Sequence, residues 1–184
     1  MIEIRRFTDE NIADRNALFD LIDRVQRGVP YNDTDGSMSA ADWAPKALDD
    51  SSLILLAMEG SEVLGYCFGQ PYQSYEGFLS SASEYGVQPN SCLYLSEFGV
   101  DERVRKRGVG TKLINALLAE TKGNHESILV RTMLHVFGTH SENPAIQFYK
   151  KAGFDLVLSG EEILIEKAGR FAERPRIFLR WRDI

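Results

Sequence analysis

Apolar and polar positions alternate at the start of the chain, where Ile2, Ile4 and Phe7 predict a first strand. The period then lengthens. Leu18, Leu21, Ile22 and Val25 fall at i, i+3, i+4 and i+7, one face of a helix that Thr8 or Asp9 can cap. Gly28 to Ser39, rich in Gly, Pro, Asn, Asp and Ser, reads as a loop, and a short helix over Ala40 to Leu48 follows, limited or kinked by Pro45. Leu53 to Met58 and Val63 to Gly69 flank the turn Glu59-Gly60-Ser61-Glu62 and predict a hairpin. Residues 71–91 make a long connection, and such loops are uncommon unless functional or disordered. Tyr72, Tyr75, Glu76, Glu84 and Tyr85 within it are candidates to line a pocket for a cationic acceptor.

Cys92 to Val100 reads as a strand and Gly108 to Thr121 as a helix, with Val109, Leu113 and Leu117 in one row and Ile114 and Leu118 in the next. Ser127 to Leu134 is a further strand. Asn143-Pro144 offers a cap followed by proline at the first helical position. Ala145, Phe148, Tyr149 and Ala152 stripe that helix, and Gly153 stops it. Strands over Ile163 to Glu166 and Arg176 to Trp181 finish the order, and the last of them offers an edge through which two copies can pair as a homodimer. The succession predicts an α/β chain built on a mixed sheet. Its front half is mostly antiparallel, a strand–helix–strand–helix unit lies in the middle, and a single domain holds residues 1–184.

Composition narrows the function classes. Apolar residues are 43% and charged residues 26% of 184, an ordinary globular balance. No apolar run approaches the ~18 residues of a membrane span, and the N-terminus shows no secretory h-region. Cys67 and Cys92 lie in apolar segments with no metal-ligand spacing, which predicts buried thiols in a cytoplasmic protein and no metal site. A net charge of -6 argues against a general nucleic-acid binder and suits a cationic or neutral small molecule. Against that background Arg103, Arg105, Lys106 and Arg107 place four cations in five residues.

Those cations lie in a segment, Val100 to Thr111, that joins a strand directly to a helix. A helix N-terminus carries unpartnered N–H groups and about half a positive charge, so an anion placed there meets converging donors. Gly108 and Gly110 remove the Cβ atoms that would hold a phosphate away from the backbone. The residues alone predict diphosphate binding. A dinucleotide fingerprint would need a third glycine where Leu113 stands. A P-loop needs Gly-Lys-Ser/Thr, and the order here is Gly110-Thr111-Lys112. A tight turn with a solvated basic flank is the remaining reading.

Arg105-x-x-Gly108-x-Gly110, after a strand ending Phe98-Gly99-Val100, resembles the Arg/Gln-x-x-Gly-x-Gly/Ala motif of the GNAT family of N-acetyltransferases. Asn143-Pro144-Ala145-Ile146-Gln147-Phe148-Tyr149-Lys150-Lys151-Ala152-Gly153-Phe154 resembles the family's second signature, Asn-x-x-Ala-x-x-x-Tyr-x-x-x-Gly-Phe, one strand downstream. The resemblance covers residues 50–155, with the cofactor core at 92–155. It implies a single domain with a mostly antiparallel, splayed sheet flanked by helices, and acetyl-CoA as cosubstrate. On this basis the backbone of Arg105, Lys106, Arg107, Gly108, Val109, Gly110 and Thr111 would bind the pyrophosphate. Phe98, Gly99 and Val100 would pair with the pantetheine arm, and Asn143 and Phe148 would complete the cofactor site. The stretch Val136 to Glu142 is longer than the family usually shows and bears on where Asn143 sits.

The resemblance implies that Tyr149 is the general acid that protonates the departing thiolate; a core tyrosine with a satisfied hydroxyl is the bland alternative. Glu97, a carboxylate on the face shared with Leu93 and Leu95, is the candidate base for a primary amine. Binding the substrate ammonium, or plain exposure near the strand end, are its other readings. His135 and His140 follow the next strand and could shuttle protons, although loop histidines without shared spacing are the commoner case. The alternative in a different class is an acyl-CoA-binding sensor that performs no transfer, and an enzyme acting on a protein amine is a variant of the first reading.

Overall fold

The computed structural model describes residues 1–8, 12–28, 39–50, 53–75, 86–133, 135–136, 141–157, 164–165 and 175–182. These fall into two compact units, one of residues 1–70 with 96–121, the other of residues 71–95 with 122–184.

In the first unit, β1 (Glu3–Arg6) pairs antiparallel with β2 (Leu53–Glu59), and β2 with β3 (Glu62–Pro71) across the predicted hairpin. Helix α1 (Ile12–Arg27) buries Leu18, Leu21, Ile22 and Val25, the four positions its period marked. They pack with Ala40, Ala44 and Leu48 of α2 (Ala40–Asp50) and with Ile54, Leu56, Met58, Val63, Tyr66 and Phe68 of the hairpin. At the start of α2 the Asp42 carboxylate accepts from the Ser39 N–H at 3.1 Å and hydroxyl at 3.0 Å, and Asp23 of α1 accepts the Ala40 N–H at 2.6 Å. Pro45 lies inside α2, which runs two residues beyond the expected Leu48.

The strand β4 (Cys92–Val100) has the predicted limits. Its second half belongs to the first unit, where Asp101 N–H donates to Leu64 O at 3.0 Å and the Ser96 hydroxyl to Phe68 O at 3.2 Å. Helix α3 (Val109–Thr121) follows after a short turn and buries Val109, Leu113, Ile114 and Leu117. It lies close over β3 because Gly65 has no side chain. A Cβ there would come within 2.9 Å of Leu113 and 3.2 Å of Val109.

In the second unit the first half of β4 pairs parallel with β5 (Ser127–Met133), from Cys92↔Ser127 to Leu95↔Val130, and the ladder ends there. Strand β8 (Pro175–Arg182) pairs antiparallel with β5 along its length, and β6 (Asp155–Leu156) and β7 (Leu164–Ile165) pair with β8. Helix α4 (Pro144–Lys151) has the expected limits. Its stripe is turned from the expected one: Ile146 and Tyr149 are buried while Ala145, Phe148 and Ala152 are half-buried. Two buried residues three apart suffice for so short a helix, and the sequence reading omitted Ile146.

The long connection also differs from expectation. Tyr72 is 2% exposed and packs with Val87, Cys92, Tyr94, Leu129 and Phe178, so it is a core residue of the second unit. Glu76, Glu84 and Tyr85 lie outside the described residues, as does the side chain of Tyr75.

Candidate active site

The cofactor loop is built entirely within the first unit. Asp101 and the turn Glu102–Val104 carry the chain from β4 toward α3, with Val104 buried as its apolar anchor. Lys106 then adopts φ 65° and Gly108 φ 80°. Left-handed backbone costs a lysine of order 1 kcal/mol and a glycine nothing. A lysine held there in an exposed loop is local strain of the kind that collects at ligand sites. Nothing lies within 4 Å of where a Gly108 Cβ would be, so the space in front of the loop is open.

Helix α3 begins without a side-chain cap. Lys112 N–H to Gly108 O, at 3.0 Å, is the first bond of its ladder, so the N–H groups of Val109, Gly110 and Thr111 precede it. Gly108 stands at the cap position and carries no oxygen to satisfy them. Helix α4 differs: the Asn143 Oδ1 accepts the Ala145 N–H at 3.0 Å. The residues present therefore fit a diphosphate, which would supply the acceptor oxygens that α3 lacks.

The four cations of this segment are not equivalent. Arg103 donates to the Asp101 carboxylate from Nε at 3.0 Å and Nη2 at 2.6 Å, and to Glu62 from Nη2 at 2.8 Å. Arg107 meets Glu59 at 3.1 Å in an exposed pair, which a stronger anion can displace. Arg105 and Lys106 are exposed, and among the described residues no carboxylate pairs with Lys106. The run of basic residues thus presents fewer charges to a ligand than its composition suggests.

Asp101 was not visible as a special residue in the sequence. Its carboxylate is 1% exposed and also accepts from Arg24 Nη2 of α1 at 3.1 Å. The Arg103 side-chain bonds, helped by the Arg103 N–H and Arg24 and opposed by burial, hold it at about 2, below the ordinary 3.8. Because the folded value is the lower one, the stabilisation is complete above the ordinary value and is lost as pH falls through the folded one. It amounts to about 2 kcal/mol. Asp101→Asn is therefore expected to lose stability near neutrality, with the gap to wild type closing between about pH 4 and pH 2 in urea unfolding series. A gap that stays constant through that window would assign the loss to packing alone.

Glu97, Phe98 and Val100 are half-buried and Gly99 is buried on the second half of β4. Tyr149 lies in the second unit on α4, 4% exposed, its ring 5.3 Å from that of Phe148 and 5.4 Å from that of Phe154. Asn143 is 1% exposed. Besides capping α4 it donates from Nδ2 to Thr132 Oγ1 and Met133 O, both at 3.1 Å. Both amide protons are thereby engaged in tying α4 to β5, which leaves no side-chain N–H for a pantetheine arm. The long excursion before it is closed at its base by a bridge between His135 and Glu142 and by Val136 N–H to Ser141 O at 2.9 Å, so the added residues leave the cap in place. His140 lies outside the described residues. The two thiols are buried: burial pushes Cys67 up to about 12 and raises Cys92 as well. Among the described residues no group of three His, Cys, Asp or Glu side chains is placed to hold a metal ion, and no helix is long and apolar enough to cross a membrane.

The profile of the acetyltransferase (GNAT) family matches residues 16–154, and the chain belongs to that family. Its sequence is 28% identical to the spermine/spermidine N(1)-acetyltransferase of Bacillus subtilis over 104 residues, 50% of this chain and 66% of the relative's length. Its fold is similar to that of an aminoglycoside 6'-N-acetyltransferase from Enterococcus faecium, with TM-score 0.67, 19% identity and coverage of 99% and 97% of the two chains. A ribosomal-protein alanine N-acetyltransferase from Escherichia coli shares the fold with TM-score 0.63, 14% identity and coverage of 99% and 94%.

Proposed function

We propose that this protein is an acetyl-CoA-dependent N-acetyltransferase whose acceptor is a small cationic amine. The observation that carries the reading is the uncapped start of α3 behind Gly108, flanked by the strained, carboxylate-free Lys106. The N–H groups of Val109, Gly110 and Thr111 hold the pyrophosphate in this reading, those of Arg105 and Arg107 being bonded to Glu102 O and Val104 O, and Phe98, Gly99 and Val100 lie along the pantetheine arm. Acetyl-CoA, when bound, supplies the activated thioester. Glu97 accepts the proton of the substrate ammonium, directly or through water. Tyr149 would give a proton to the departing sulfur as the N–C bond forms and the C–S bond breaks, and the second proton that the nitrogen sheds on becoming the amide would return to the tyrosinate, directly or through water. Direct transfer suits the thiols, which burial keeps protonated and so poor nucleophiles. Two free, buried cysteines also suit a cytoplasmic setting.

The acceptor class rests on the net charge of -6 and on the names of two relatives, one a polyamine acetyltransferase and the other an aminoglycoside acetyltransferase. Both of those acceptors are small polycations. The test is release of free coenzyme A from acetyl-CoA with spermidine, an aminoglycoside, an amino sugar, an amino acid and a lysine peptide offered in parallel. The expected result is at least about a tenfold higher kcat/KM for a polyamine or aminoglycoside than for the peptide. A preference for the peptide would move the protein to the protein-amine class. Tight coenzyme A binding with no amine raising turnover above background would make it a sensor.

A further inference from the structure

Asp101 is held at every polar group it has. Its N–H donates to Leu64 O on β3 at 3.0 Å, its C=O accepts from Val104 N–H at 3.1 Å, and its carboxylate accepts from two arginines of different elements. Arg24 comes from the last turn of α1, and Arg103 reaches on to Glu62 at the start of β3. Two carboxylates and two guanidiniums thus close a neutral network in which the only fully buried member is Asp101. The adjoining backbone is tight as well: a Cβ on Gly28, just past α1, would stand 3.3 Å from the Glu102 carboxylate. Downstream, the path from Asp101 to the first turn of α3 is a turn of three residues and then the loop holding Lys106 and Gly108 in left-handed conformation. A short, strained loop keeps its shape only if its entry point is fixed.

We propose that Asp101 is the positioning residue of the pyrophosphate loop: by binding Arg24 and Arg103 together it fixes the loop's entry, so that the α3 amide groups are set before the cofactor arrives. The role is distinct from ligation, since the carboxylate is buried behind the loop and repels phosphate. It gives Arg103, one of the four cations of the segment, a structural task. The inference rests on the reading of Arg105–Thr111 as the pyrophosphate site.

The test compares two donors, acetyl-CoA and S-acetyl-pantetheine, which lacks the pyrophosphate, with wild type, Asp101→Asn and Arg24→Gln. Asp101→Asn is expected to raise KM for acetyl-CoA, and Kd for coenzyme A by calorimetry, about tenfold or more. Its kcat at saturation and its KM for S-acetyl-pantetheine stay at the wild-type values. Arg24→Gln, which leaves Arg103 on Asp101, is expected to move the same constants the same way by roughly threefold. Equal losses on both donors would make Asp101 a general structural residue and overturn the proposal, and so would an unchanged coenzyme A affinity. Should Asp101→Asn fail to fold, the Arg24→Gln constants decide by the same criteria. A wild-type protein that binds coenzyme A no better than pantetheine would instead overturn the phosphate reading of the loop, a failure separate from that of Asp101.

Discussion

Tyr149→Phe is expected to lower kcat roughly 100-fold while leaving KM for acetyl-CoA near the wild-type value, the size of effect that loss of a positioned proton donor produces. The substitution keeps the ring, and with it the contacts to Phe148 and Phe154 that hold the side chain at 4% exposure. Any change in rate therefore reports the hydroxyl. The bland role for a buried tyrosine gives the opposite pattern, a loss of about 1 kcal/mol in stability from a missing hydrogen bond and no change in turnover. Steady-state kinetics beside a thermal melt separates the two, and an unchanged kcat would remove Tyr149 from the mechanism. If the acid role holds, a donor with a better leaving thiol should narrow the gap between variant and wild type, because its sulfur needs the proton less.

Gly99→Ala is the second large effect, and it acts on stability. A Cβ at Gly99 would stand 2.5 Å from Cζ of Tyr66 and 2.7 Å from its hydroxyl oxygen. That ring is 1% exposed and packed 5.5 Å from Phe68, so it has no room to withdraw. Overpacking of this kind costs about 3 kcal/mol, or roughly 6–12 °C in Tm for a chain of this size. The strain falls on β4 two residues before Asp101, so coenzyme A affinity should fall with it. Tyr66→Leu combined with Gly99→Ala should recover part of the loss, since the double substitution removes the clash. A single Gly99→Ala variant as stable as wild type would mean that β3 and β4 separate more readily than their packing suggests.

The parts of this protein that local chemistry dictates were readable from its sequence. The Leu18–Val25 stripe, the strand limits at Cys92 and Val100, the Asn143-Pro144 start of α4 and the glycine-fronted start of α3 each depend on residues within a few positions of one another. What escaped depends on partners far apart in the chain. Arg103 stood among the four cations of its segment with nothing to mark its engagement by Glu62, 41 residues away, and Asp101 gave no sign of meeting Arg24, 77 residues away. Arg107 likewise finds Glu59 across 48 residues. Tyr72 read as a pocket residue because a tyrosine in a polar connection has no period to reveal its burial. Asn143 was read correctly as a cap, but the two donors that tie it to Thr132 and Met133 come from the preceding strand and left no trace in spacing.

The central claim is that the loop from Arg105 to Thr111 holds the coenzyme A diphosphate, and calorimetric titration of coenzyme A into wild type and Gly108→Val tests it most directly. Valine at φ 80° is strained, so the substitution distorts the backbone that leads into α3 although no atom lies within 4 Å of its Cβ position. The account predicts clear binding by wild type and an affinity at least about 100-fold weaker in a folded Gly108→Val protein. Equal affinities for the two proteins would contradict it.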